Sequence, residues 1–189
     1  YKGSYPQDLL EIYGSYFSQI MPYDLKIISA KTDFLGVNYY TSAWVEYSNS
    51  NPPLNFSFST PKWVQKTNFG WAIYPKGLSE VLERLKAFDI KKIYITENGA
   101  AFKDKLIAGR VKDNKRLKFL RDHLKVLSQS IQNGSPVEGF LLWSFMDNFE
   151  WQEGLIQRFG VFYTDYDTQK RIIKDSGKFY KKIISSELA

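Results

Sequence analysis

Apolar residues recur along this chain in two alternating rhythms. In "GLSEVLERLKAF" (77–88), Leu78, Val81, Leu82, Leu85 and Phe88 fall on one helical face. "KIYIT" (92–96) follows almost at once and reads as a strand. The same alternation holds on either side. "DFLGVNYYT" (33–41) reads as a fully buried strand, and "EGFLLWS" (138–144) as another. A long helix is predicted from an Asp113 cap to about Gln132, with Asn133-Gly134 as its stop. Residues 8–20 set Leu9, Tyr13, Tyr16, Phe17 and Ile20 on one face of a helix that Pro22 ends. A hairpin is expected within 160–173, and "DSGKFYKKII" reads as a closing helix. Residues 42–75 show no periodicity and read as a long loop, as do 97–112 and the stretch holding "MDNFEWQEGLIQRFG".

Long strand-to-helix links thus alternate with short helix-to-strand links. That asymmetry marks a (β/α) barrel, whose functional groups lie on the strand-to-helix side. Three such units are only part of a barrel, which needs eight strands and about 250 residues. No repeat, low-complexity tract or interdomain linker interrupts residues 1–189.

The strands end in polar or aromatic residues: Asn38 and Tyr40, Glu97 and Asn98, Trp143 and Ser144. In a barrel mouth these groups converge. A carboxylate there can act as a nucleophile, a base or a metal ligand, and a nearby tyrosine hydroxyl can orient it. Trp143 and Trp151 each offer an apolar face and an N–H donor, and Glu150 stands between Phe149 and Trp151. An acid among aromatic planes suits a polyhydroxylated ring, whose carbon face stacks while its hydroxyls bond to the carboxylate. Plainer readings stand beside these. A lone glutamate after a strand is commonly a helix N-terminal charge, Trp143 reads equally as core, and His123 in "RDHLKVL" as a packing or surface residue.

Composition narrows the choice. The 189 residues are 43% hydrophobic and 24% charged, ordinary for a globular domain, but 17% aromatic. The net charge of +6 raises nucleic-acid binding, yet the basic residues are scattered over helices with acids interleaved, as on a solvated face. No apolar run approaches the roughly 20 residues of a membrane span. Cysteine is absent, which excludes a thiol nucleophile or disulfide framework and fits a cytoplasmic setting. A single histidine leaves no Ser-His-Asp triad and no multi-histidine metal site, and no glycine-rich phosphate loop is present. No leader pattern is visible, and the first residue is Tyr1, so the chain is expected to be a piece of something longer.

Taken together, "FLGVNYYT", "IYITENGAAF", "VKDNKRLKFLRDHL", "VEGFLLWSFMDNFEWQEG" and "RFGVFYTDYDTQKRIIKDSGKFYKKII" resemble glycoside hydrolase family 1, the β-glucosidase family. They occur in that family's order and spacing over essentially the whole chain. The resemblance implies strands six to eight, with their helices, of a TIM (β/α)8 barrel that hydrolyses β-glycosides with retention and without cofactor or metal. It implies Glu97 as nucleophile, Tyr40 as the tyrosine bonded to it and Asn38 as a nearby polar partner. Trp143, Glu150 and Trp151 match glycone-binding residues, with Glu150 reaching the distal hydroxyls, and Phe159 matches a pocket-lining aromatic. The family's acid/base glutamate belongs to an "NEP" motif that this sequence lacks. The expected partners are therefore a β-linked glucoside and an N-terminal part of the same enzyme. Two alternatives remain. One is a 6-phospho-β-glycosidase, against which the Glu150 charge argues. The other is a non-catalytic carbohydrate-binding remnant.

Overall fold

The computed structural model describes residues 1–186, apart from the side chains of Phe17, Ser18 and Pro22. Its centre is a three-stranded parallel sheet in the order β1 (Leu35–Asn38), β4 (Ile93–Asn98), β5 (Val137–Leu142). Leu35 stands opposite Ile93 and Val37 opposite Ile95, while Asn38 pairs with Glu97 after a register shift. Ile95 faces Phe140 across to β5, and Asn98 pairs with Leu142 after a second shift.

Helices α3 (Pro75–Leu85) and α4 (Asn114–Gln132) cover one face of this sheet. Leu78, Leu82, Ile93, Ile95 and Leu127 form the core there, with Leu35, Val37, Val137 and Phe140 packed against it. Each fully buried aliphatic side chain of this kind contributes about 1.5–3 kcal/mol. Helix α5 (Asp175–Ser186) lies against α4. The barrel segment is therefore as expected, and the described residues do not close it.

Several expectations change. The strands at 33–41 and 138–144 are not fully buried: Gly36, Asn38, Glu138 and Leu141 are exposed. One sheet face meets helices, and among the described residues nothing covers the other. The supposed loop 42–75 contains an antiparallel hairpin, β2 (Trp44–Tyr47) with β3 (Phe56–Ser59). The predicted helix over 8–20 stops early. α1 covers Gln7–Tyr13, a 3-10 segment covers Gly14–Gln19, and α2 runs Pro22–Ile28. Gly14 within that stretch costs about 1 kcal/mol relative to alanine, and α1 buries no residue that would offset it. Phe17 lies outside the described side chains.

Asp113 occupies the N-cap of α4 without capping it. Its carboxylate instead accepts hydrogen bonds from Arg116 Nη1 at 2.6 Å and from Ser176, through the backbone N at 2.9 Å and the hydroxyl. The basic residues are not all solvated either, because Arg116 and Lys174 are fully buried. The closing hairpin is present as β6 (Phe162–Thr164) and β7 (Arg171–Ile173). No helix among the described residues is long and apolar enough to cross a membrane.

Candidate active site

The C-terminal ends of the three parallel strands open into a cleft of about 910 Å³. Glu97 reaches it from β4. Directly after Glu97, Asn98 turns into the core, where its Nδ2 donates to Tyr39 O at 2.7 Å. The next residue must be glycine. A Cβ on Gly99 would lie 1.8 Å from the backbone oxygen of Trp143. The chain of β4 thus passes hard against the end of β5, where Trp143 N donates to Asn98 O at 2.9 Å. This close approach brings Glu97 and Trp143 into one site.

Tyr40 follows β1 and donates its hydroxyl to Glu97 Oε2. Burial, followed by that bond to Glu97, raises the phenol's pKa, so it remains a donor. Tyr40 is walled by Trp71 at 5.2 Å and Phe159 at 6.2 Å, both edge-on. Phe159 is buried at the cleft's base.

Glu150 lines the same cleft. Burial raises its pKa, a hydrogen bond from the Trp143 side chain opposes the rise, and the charge of Glu97 adds to it. Oε2 of Glu150 is buried with no hydrogen-bond partner. A buried acceptor left open in a cleft suits a ligand hydroxyl. Trp151 stands 82% exposed at the mouth, with φ 43°, a backbone region that disfavours large side chains. Gly154 N donates to Trp151 O at 3.2 Å, and Glu150 N to Gly154 O at 2.7 Å, closing a tight turn around that residue.

Six of the seven sequence-predicted site residues therefore meet: Tyr40, Glu97, Trp143, Glu150, Trp151 and Phe159 all line the cleft. Asn38 does not. It lies on the open face of the sheet, and its Oδ1 accepts from Thr96 Oγ1 at 2.6 Å. Phe69 and Trp71 line the cleft but escaped sequence reasoning. They sit in the turn Thr67–Trp71, closed by Thr67 N donating to Trp71 O at 2.8 Å. Two aromatics flanking Gly70 in an otherwise polar stretch were the available signal. His123 is buried packing, one of the two plain readings the sequence left open: Nδ1 donates to Phe119 O at 2.8 Å and the ring stacks on Phe119 at 3.9 Å.

A carboxylate held by a phenol, beside a second buried carboxylate and among aromatic rings, thus lines a cleft at the strand ends of a (β/α)-barrel segment. The profile of glycosyl hydrolase family 1 matches residues 1–188, and the chain belongs to that family. It is 42% identical to a 1,4-beta-D-glucan glucohydrolase of Thermotoga neapolitana, over 98% of this chain and 42% of that protein. Beta-glucosidase A of Thermotoga maritima is 40% identical, with the same coverages. The solved structure of a family 1 β-glucosidase from Thermotoga maritima superposes with a TM-score of 0.92 at 41% identity. That match covers 98% of this chain and 42% of the other. The chain therefore spans less than half the length of the relatives it matches.

Proposed function

We propose that this chain supplies the nucleophile side of a β-glucosidase that works with retention of configuration. The observation that carries the reading is the placement of Glu97 and Glu150 in one aromatic cleft. Glu97 is fixed by the Tyr40 hydroxyl, and Glu150 has a buried oxygen free for a sugar hydroxyl.

In this reading Glu97 attacks the anomeric carbon, the bond to the leaving oxygen breaks, and a glycosyl ester forms. Tyr40 holds Glu97 Oε2, which leaves Oε1 free of that bond. Trp143 orients Glu150 towards the distal hydroxyls, and Phe159, Phe69 and Trp71 wall the ring. A retaining enzyme needs a second carboxyl group about 5–5.5 Å from the first, to protonate the leaving oxygen and then activate water. With Glu150 assigned to binding, that group comes from the remaining barrel strands, which we assign to an N-terminal segment of the same enzyme. The open face of the sheet and the greater length of the relatives support this. The cysteine-free composition supports a cytoplasmic setting for this carbohydrate metabolism.

The test is covalent capture in the barrel-complete enzyme, meaning this chain together with the segment carrying the other strands. A 2-deoxy-2-fluoro-β-glucoside should esterify Glu97, detected as a mass shift on the peptide containing "ITENG". Glu97→Gly with added azide should recover part of the rate and yield the α-glucosyl azide, since azide enters from the vacated side. A label elsewhere, or a β-glucosyl azide, refutes the assignment.

A further inference from the structure

Behind the cleft lies a chain of buried charges that the reaction itself does not use. Asp147 has a side chain 0% exposed, yet it accepts from two cations. Lys174 Nζ reaches its Oδ1 at 2.7 Å, and Arg158 Nη1 its Oδ2 at 2.7 Å. Gly160 N adds a third donor at 3.0 Å. Lys174, also 0% exposed, continues to Asp104 at 2.5 Å, and Asp104 pairs with Arg116 at 2.9 Å. Arg116 then spans two segments of the site. Its Nε donates to Ala100 O at 3.2 Å and its Nη2 to Arg158 O at 2.5 Å.

The placement of these anchors is specific. Ala100 lies three residues beyond Glu97. Arg158 and Gly160 flank Phe159, and Asp147 lies between Trp143 and Glu150. Each strand-end segment that contributes a cleft residue from β4 onward is therefore tied to the same charged chain. With Asp113, the network holds three carboxylates and three cations, so it is neutral as a whole. A hydrophobic plug would serve stability as well as such a network or better. Directional bonds to two loops add a fixed geometry that apolar packing does not.

We propose that the buried chain Asp147–Lys174–Asp104–Arg116 sets the separation between Glu97 and the loop bearing Glu150 and Phe159, so that Asp147 and Lys174 are positioning residues for sugar recognition. This rests on the reading of Glu97 and Glu150 given above. Misplacement of about 1 Å at a reacting centre costs roughly 100-fold in rate, so slack in this chain is felt as lost catalysis and lost selectivity.

The test uses the barrel-complete enzyme with the charge-neutral pair Asp147→Asn with Lys174→Met, since removing one ion alone leaves an uncompensated buried charge. Three quantities are read: the stoichiometry of trapping by the 2-deoxy-2-fluoroglucoside, kcat/KM for a β-glucoside, and kcat/KM for its 6-deoxy analogue. Trapping should stay stoichiometric while kcat/KM for the glucoside falls roughly 10- to 100-fold. The glucoside to 6-deoxyglucoside ratio should shift towards that of Glu150→Ser. Arg158→Lys, which keeps the charge but loses the planar fork at a side chain 17% exposed, should shift the ratio in the same direction and stands in if the pair variant does not fold. A ratio unchanged in these variants but lowered by Glu150→Ser overturns the positioning role and leaves the functional reading intact. If Glu150→Ser itself leaves the ratio unchanged, the reading of Glu150 fails and the proposal falls with it.

Discussion

Glu97 and His123 show how differently two ionisable residues of one chain can be used. Glu97 ends a core strand, yet its carboxylate is turned into a cleft and held by Tyr40. His123 is sealed in, with exposure 0% and Nε2 without a partner. Burial lowers its pKa to about 4, although the bond to Phe119 opposes the shift. Its folded pKa thus lies below the unfolded value of about 6.5, and the unfolded state binds the extra proton between the two. The stability contributed by neutral His123 is complete above about pH 6.5 and is lost as pH falls towards 4, by about 3 kcal/mol in all. In the barrel-complete enzyme, Tm should therefore drop more steeply from pH 6.5 to 4 than it does in His123→Gln. Parallel slopes in calorimetry would contradict this. The sequence left His123 as packing or surface, from its place within "RDHLKVL", and the fold decides for packing. The sequence could not foretell the orphaned nitrogen, which depends on what the fold packs over the ring.

At the scale of elements, strands and long helices were legible from local signals. α3 follows from its apolar period, the three parallel strands from short apolar runs, and α4 from its Asn133-Gly134 stop. The hairpin β2–β3 was hidden for a physical reason. Its strands are four residues each, and "WVEY" is apolar on both faces, with Trp44 turned to Trp63 and Tyr74 while Val45 and Tyr47 stand exposed. β3, "FSFS", does alternate with a period of two, but over only four residues and with no matching period in the strand it pairs with. Asp113 misled for another reason: a capping residue type stands at the cap position, but Arg116 and Ser176 take its oxygens. Arg116 is only three residues on, but Ser176 is 63 residues away and no local pattern reveals it. The contact of Gly99 with β5 is equally non-local, and it carries a prediction. Gly99→Ala places a methyl 1.8 Å from the Trp143 backbone oxygen, so one of the two strand ends must move. Overpacking of this kind costs about 1–3 kcal/mol. We expect a lowered Tm in calorimetry, together with a kcat/KM loss larger than the fall in folded fraction explains, because Glu97 and Trp143 separate. A loss that merely tracks folded fraction would mean that the site tolerates the shift.

For the whole molecule, the decisive feature is an unfinished surface. Among the described residues β1 and β5 each pair on one side only. The sheet face away from the helices leaves Phe34 and Leu141 each 52% exposed. Unpaired parallel edges and half-bare strands invite association with further strands, and closure of a (β/α) barrel is what normally removes them. The cleft follows the same logic, since six expected residues line it but the acid needed to protonate the leaving group has no assigned carboxyl there. The 189-residue chain alone should therefore turn over no unactivated β-glucoside, and it should self-associate and bind a hydrophobic dye. Supplying the segment with the remaining strands should abolish dye binding and bring β-glucosidase activity and cooperative unfolding together, at one stoichiometric end point. Turnover by the purified chain alone, with mass analysis confirming that no second polypeptide is present, would place the proton donor among its own carboxylates. Glu150, whose pKa burial raises and which shares the cleft with Glu97, would then be the first residue to substitute.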